Sequence, residues 1–482
     1  MKMRKVLSCL LLVSVVAMLV SCGGDDPIAP QEDPAPTALT LSQESANFGV
    51  QGSELALTVT APARPTVTGA PSWVTVMDGT FNHYSITYTL KVAENTSYDP
   101  RTASLTISAG NLTKTFTVSQ AAAQKPAEPE EPEEKPDDKP QEIDISKTLV
   151  TGNATNEAKA LYGYLLSQYG KKIISSIMAD VNWNHREADK VNSATGKYPA
   201  MNCYDFIHIY VPENNWINYS DLKPVTEWAE AGGIVSLMWH FNVPKSASVS
   251  PGSDGSGVTC TPSETTFKAQ NVFTKDSWEN KWFYDQMDKV AAVILGLQEK
   301  GIAAIWRPFH EAAGNSTYKQ QASWTKSWFW WGYDGADVYK KLWVAMFDYF
   351  ASKGIRNLIW VWTTQNYNGD SSKYNQDKAW YPGDAYVDIV ARDLYGSTAS
   401  ANATEFKEIQ ATYPTKMVTL GECGTDSGAK PPKAFATIPS VWSAGAKWSW
   451  FMPWYGSNMP DTSWWSAALS NSNVITRSDV KY

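Results

Sequence analysis

The sequence predicts an α/β protein: a (β/α)8 TIM barrel over residues 146–482, behind a small N-terminal all-β, immunoglobulin-like sandwich over 38–121. Three observations carry this reading. After residue 145, short apolar runs alternate with longer helical stretches, the pattern of a parallel sheet wrapped by helices. Before residue 121, apolar and polar residues alternate with period two between turn-rich segments, as in a half-buried antiparallel sheet. A proline- and glutamate-rich stretch that cannot bury a core separates the two patterns.

Lys2, Arg4 and Lys5 precede an apolar run over 6–20, the pattern of a secretory signal and too short for a convincing membrane span. The run ends Leu19-Val20-Ser21-Cys22, which resembles the bacterial lipobox. The resemblance implies a signal peptide over 1–21 and lipid on Cys22, anchoring the chain to the membrane. Gly23-Gly24-Asp25-Asp26 is similar to the surface-export signal of Bacteroidetes lipoproteins, so an outer-membrane lipoprotein exposed at the cell surface is expected, with the periplasmic face as alternative. The simpler reading is an ordinary signal peptide cut near the same place. Residues 22–37 are Pro-rich and polar, a flexible tether.

In the sandwich region the alternating runs are 56–60, 84–92, 103–107 and 115–118. Pro71-Ser72-Trp73-Val74, then Asn95 and Arg101, then Val118-Ser119-Gln120 resemble the BACON domain, which implies sugar or mucin binding. A spacer is the simpler role, because Trp73 is the only indole available there and its position suggests core. The linker, 122–145, holds nine acidic residues and three lysines between Lys125 and Asp144, so it carries −6 of the net −8 charge. Self-repulsion and five prolines keep it extended. The remainder is nearly neutral and has no basic stripe to track a phosphate backbone, which excludes nucleic acid as a partner and suits a neutral polymer. A monomer is expected.

The eight barrel strands are expected at 173–178, 200–204, 234–239, 303–307, 358–362, 387–392, 417–422 and 447–452. Among the helices 278–300 is the clearest, with Phe283, Met287, Val290, Ile294 and Leu297 on one face and Gly301 as its stop. A doubly wound sheet is the main alternative, but no Gly-rich phosphate loop follows the first strand.

Barrel chemistry sits where strands end and βα-loops begin. Strand three ends at Trp239-His240 and strand four runs into Trp306-Arg307-Pro308-Phe309-His310-Glu311. Strand six leads to Asp393-Leu394-Tyr395, strand seven ends Gly421-Glu422, and the last strand leads to Pro453-Trp454. Glu311 and Glu422, 111 residues apart, would face each other across the ring from strands four and seven. Glycosidic cleavage needs a proton for the leaving oxygen and stabilisation of a cationic carbon, which two carboxyl groups supply. His310 and Arg307 are placed to orient Glu311, and Tyr395 to donate a hydrogen bond to Glu422. All 22 tryptophans except Trp73 lie after residue 180. They divide between core packing and sugar stacking, the cluster Trp328, Trp330 and Trp331 being open to either.

Trp306-Arg-Pro-Phe-His-Glu311 and Gly421-Glu422, with His240 and Tyr395, resemble glycoside hydrolase family 26. The resemblance covers nearly all of 150–482 and implies Glu311 as acid/base and Glu422 as nucleophile of a retaining double displacement. It also implies that His240, Arg307, His310 and Tyr395 line the central sugar subsite, with Trp454 as its stacking floor. The expected substrate is β-1,4-mannan, galactomannan or glucomannan, with β-1,3-xylan or mixed-linkage glucan as alternatives. A non-catalytic surface glycan-binding lipoprotein is the reading from another class, and retention of both glutamates argues against it. One departure is visible: 315–327 intervenes before Trp328-Phe329-Trp330-Trp331-Gly332, although Trp328 remains the expected substrate-contacting indole. The Ser-, Gly- and Thr-rich segment 244–276 is a second place where the cleft is reshaped, and endo against exo action stays open. His83, His185 and His208 read as structural or cleft-edge residues, and Cys423 as packing. Cys203, Cys260 and Cys423 show no metal-like spacing, leaving at most one bonded pair; no metal or cofactor is implied.

Overall fold

Period-two burial builds the N-terminal unit. In Ser85–Val92 the side chains of Ile86, Tyr88, Leu90 and Val92 are buried while their neighbours face outward. The structure is a computed structural model and describes residues 35–97, 99–122, 144–181, 183–212, 216–317, 326–365 and 377–482. The expected signal peptide, Cys22 and nearly all of the linker lie outside the described residues, as does 318–325 of the expected insertion. The chain divides into two units, 1–139 and 140–482.

The first unit has two four-stranded sheets. One orders Thr40–Leu41, Ser53–Thr60, Ser85–Val92 and Val74–Met77; the other orders Ser45–Phe48, Leu112–Gln120, Arg101–Ala109 and Thr66–Thr68. Leu57, Val59, Leu105, Ile107, Phe116 and Val118 join the core between them. The residues behind the BACON resemblance meet in one network. The Arg101 guanidinium lies 4.5 Å over the Trp73 ring and donates to the carbonyls of Ala93 (2.9 Å) and Glu94 (3.0 Å) and to Gln120 Oε1 (2.9 Å). Gln120 Nε2 donates to Gly49, Val50 and Ala93 carbonyls, and buried Asn95 to those of Asp99 and Ala121. These side chains satisfy loop backbone that would otherwise be orphaned, a structural task.

In the second unit the strands Ile173–Met178, Met201–Asp205, Ile234–Trp239, Ala304–Pro308, Leu358–Thr364, Ile389–Tyr395, Met417–Gly424 and Trp450–Phe451 run parallel in the order seven-six-five-four-three-two-one-eight. Neighbours in sequence are neighbours in space with no reversal, so the sheet is a barrel and not doubly wound. Period two again sorts the side chains. Ile174, Met178, Cys203, Met238, Ile305, Val361, Ala391 and Met417 fill the interior, while Ile173, Leu237, Trp306, Trp362, Val390 and Val418 pack outward. Helix Trp278–Glu299 begins at Ser277, whose side chain accepts the Asn280 N–H, and the chain leaves it through Gly301 at φ +70°.

Two features were not foreseen. Val474–Ile475 adds a ninth strand beside strand one, and Val243–Pro244 pairs with Val258–Thr259 to tie the base of the 244–276 segment. Strand eight is shorter than expected because the ring closes irregularly between strands seven and eight. Ser449 N–H reaches Val418 O (2.9 Å) and Cys423 N–H reaches Met452 O (2.9 Å). Between them buried Thr419 Oγ1 stands in for backbone: it accepts from Trp450 N–H and donates to Trp450 O, both at 3.0 Å. Thr419→Val keeps the shape and strands both Trp450 groups. It is expected to cost about 1–3 kcal/mol in urea denaturation followed by tryptophan fluorescence, a signal dominated by this unit. A midpoint equal to the parent's would mean that other bonds hold the seam.

Candidate active site

Strand period places Arg307, two residues beyond interior Ile305, at the axis of the barrel, where its charge must be paired. Its Nη1 donates to Asp393 Oδ2 (3.1 Å) and to Thr363 Oγ1 (3.0 Å), and its Nη2 donates to Glu422 Oε1. The Arg307 and Glu422 side chains are only 3% and 8% exposed. Tyr395 donates its hydroxyl to the other Glu422 oxygen at 2.7 Å, so both oxygens of that carboxylate are held. Burial and the charge of Glu422 push the Tyr395 phenol well above its ordinary range, so it remains a donor.

A β-bulge makes this convergence possible. Arg392 pairs with Leu420, but Asp393 pairs with Glu422, leaving Gly421 unpaired. Counting inward positions from Met417 in steps of two would reach Gly421 and turn Glu422 outward; the extra residue turns Glu422 back to Arg307. Only glycine fits there: a Cβ at Gly421 would lie 2.6 Å from Asp393 Oδ1 and 3.3 Å from Arg307 Nη1.

Glu311 sits past the end of strand four on strained backbone, with φ +50°, two residues after Phe309 at φ +47°. Buried donors pin this loop: Trp331 Nε1 to His310 O at 2.9 Å and Tyr339 hydroxyl to Phe309 O at 3.2 Å. Trp328 Nε1 donates to Glu311 Oε2 at 3.1 Å. Burial first, then the charges of Asp393 and Glu422, hold Glu311 well above the usual carboxylate range; Arg307 and the Trp328 bond pull the other way without overcoming this. Glu311 is therefore an acid poised to give a proton.

His240 is fixed by Asp205, whose Oδ2 lies 2.6 Å from Nδ1 and whose Oδ1 accepts the His240 N–H at 3.0 Å. Burial opposes its charged form, but Asp205 outweighs burial and the pKa is raised. Its ring stands edge-on to His310 (4.5 Å) and Trp454 (5.7 Å). Burial, then the nearby charges of His240 and Arg307, hold His310 well below the ordinary imidazole range, so it is neutral at pH 7. Trp454, stacked on Tyr455 at 5.4 Å, and Trp328 stay half-buried, each leaving surface open to the cleft. Among the described residues no group of three or more His, Cys, Asp or Glu side chains is placed to hold a metal ion.

The model of glycosyl hydrolase family 26 matches residues 150–478. The chain belongs to that family. The BACON model matches residues 50–121. Among solved structures, the family 26 domain of an endo-β-mannanase/endo-β-glucanase from Prevotella bryantii is 56% identical with a TM-score of 0.68, covering 70% of this chain and 100% of that one. A β-mannanase from a symbiotic protist of the termite Reticulitermes speratus, complexed with a gluco-manno-oligosaccharide, is 31% identical with a TM-score of 0.55, covering 71% and 99%. The mannan endo-1,4-β-mannosidase of Thermothelomyces thermophilus is 30% identical over 67% of this chain and 60% of its own length. Mannan endo-1,4-β-mannosidase A of a Piromyces species is 29% identical over 64% and 46%. The chain thus spans about half to three-fifths of these curated relatives.

Within this family 26 unit the structure gathers Glu311, Glu422, His240, Arg307, His310, Trp328, Tyr395 and Trp454 at one face, and corrects how they pair. Arg307 hydrogen-bonds Glu422 and Asp393, and His310 Nε2 lies 3.9 Å from Glu422, so neither orients Glu311 as expected from adjacency. Sequence neighbours on extended backbone point apart, and the positive φ at Glu311 turns its side chain away from theirs. Trp330 and Trp331 are buried core, not sugar platforms. Cys203, Cys260 and Cys423 are free thiols, and Cys423 is buried. Asp205 and the bulge at Gly421 were missed, and Asp393, placed at the end of strand six, was given no role. The strand-end positions of both aspartates were a usable signal; the bulge left none.

Gly421→Ala is expected to force Asp393 and Arg307 apart and to destabilise the fold by about 1–3 kcal/mol; a variant as stable as the parent would show that the bulge has room. Glu422→Gln removes one of the charges that raise Glu311. The Glu311 pKa, followed through the carboxyl carbon shift of Glu-labelled protein, is expected to fall, and an unmoved value would leave burial and Asp393 as the causes.

Proposed function

We propose that the chain is a retaining endo-β-1,4-mannanase acting on mannan, galactomannan or glucomannan. The observation that carries this is the asymmetry of the two glutamates: Glu422 held on both oxygens by Arg307 and Tyr395, Glu311 kept protonated by burial and neighbouring charge. Glu422 attacks the anomeric carbon as the glycosidic C–O bond breaks, and the Glu311 proton passes to the leaving oxygen. Forming the ester neutralises Glu422, which removes one cause of the raised Glu311 pKa just when Glu311 must act as a base. Glu311 then takes a proton from water, whose oxygen attacks the same carbon; Glu422 leaves as carboxylate and Glu311 is protonated again. His240 and His310 meet the hydroxyls of the central sugar, with Trp454 beneath its apolar face. The substrate is supported by what the relatives are named for. The leader pattern ending at Cys22 supports lipid anchorage at the outer-membrane surface, facing polysaccharide too large to enter the cell.

The test is hydrolysis of linear mannan, galactomannan, glucomannan, β-1,3-xylan and mixed-linkage glucan by the parent, Glu311→Gln and Glu422→Gln. A ladder of manno-oligosaccharides from the parent, with kcat reduced at least about 10³-fold in each variant, is expected. The parent's activity should fall on the alkaline side as Glu311 loses its proton. Intact mannans throughout would reject the substrate, and equal turnover by either variant would reject its role.

A further inference from the structure

Trp216 is the most exposed tryptophan among the described residues, at 45%. It belongs to the loop after strand two, and its ring stands edge-on to His208, centroids 4.6 Å apart at 72°. Its Nε1 donates to Ser253 O at 3.1 Å, and the Tyr210 hydroxyl donates to Gly255 O at 3.2 Å. The tip of the 244–276 segment is thus fastened to this loop, and Gly255, at φ +87°, packs where a Cβ would lie 3.3 Å from the Tyr210 hydroxyl.

The loop that carries Trp216 is hydrogen-bonded at its base to the residues that set His240. Asp205 Oδ1 accepts both the His240 N–H and the Ile207 N–H at 3.0 Å, and Asn242 Nδ2 donates to Ile207 O at 3.0 Å. His208 is the next residue, so the same carboxylate that sets His240 sets the base of the platform. A tryptophan serving only to anchor the loop needs its N–H and has no reason to leave its ring open to water. Desolvating that much indole is favourable only against an apolar face, and a pyranose ring supplies one while keeping its hydroxyls wet.

We propose that Trp216, braced by His208, is a distal subsite that stacks a further sugar of the same polysaccharide chain, beyond those held at Glu311 and Glu422. This rests on the mannanase reading. The test measures kcat/KM on manno-oligosaccharides from triose to hexaose for the parent, Trp216→Ala and Trp216→Phe. For Trp216→Ala the hexaose-to-triose ratio is expected to fall about five- to tenfold. Trp216→Phe, which keeps a stacking face and loses the N–H to Ser253, is expected to recover most of it. Hydrolysis with the parent's ratio in the alanine variant would overturn the subsite. A ratio lowered equally by phenylalanine would overturn stacking in favour of loop anchoring. A parent that cleaves none of the oligosaccharides would instead overturn the mannanase reading, with intrinsic fluorescence quenching by hexaose, present in the parent and lost in Trp216→Ala, then deciding the subsite by itself.

Discussion

A guanidinium buried between two carboxylates organises the top of the barrel. Arg307 brings one positive charge to Asp393 and Glu422 in a place that solvent barely reaches. A buried ion pair of this kind gives uncertain net stability, because desolvation offsets much of the attraction. What it does give is position: with Tyr395 on its second oxygen, both oxygens of Glu422 are held, the orientation that the proposed chemistry needs. Removing Arg307 would leave two buried carboxylates with no cation between them.

The second carboxyl group is governed by the opposite means. Among the described residues no cation is hydrogen-bonded to Glu311; its partner there is the neutral indole of Trp328, and the left-handed turns at Phe309 and Glu311 are held by Trp331 and Tyr339. The charge that Arg307 leaves uncompensated, spread over Asp393 and Glu422, then acts on Glu311 and keeps its proton on. One cluster thus fixes the Glu422 carboxylate and keeps the proton on Glu311, and in the proposed double displacement this coupling relaxes when Glu422 becomes an ester.

The aromatic residues divide their labour along the same line. Trp330, Trp331, Trp306 and Trp362 are buried supports that hold loops or helices against the sheet. Trp328, Trp454 and Trp216 keep part of their rings outside the core. In the sandwich, Trp73 is covered by Arg101 and contributes to loop packing.

Much of this was legible in the chain itself. Period-two and period-3.6 patterns located all eight strands and the long helix because burial on one face leaves a local trace in composition. The run ending in Glu311, and Gly421-Glu422, marked the two carboxyl groups because strand ends are read directly from where apolar runs stop. Which groups touch was not legible. Arg307 is four residues from Glu311 and bonds Glu422 instead, since alternation and one inserted residue at Gly421 decide facing, and a bulge has no composition of its own. Trp328 and Trp330, two residues apart, differ in exposure only because of what packs against each. The sequence determined the elements and the chemical groups, which depend on local pattern; tertiary structure decided their pairing and protonation, which depend on distances between residues remote in the chain.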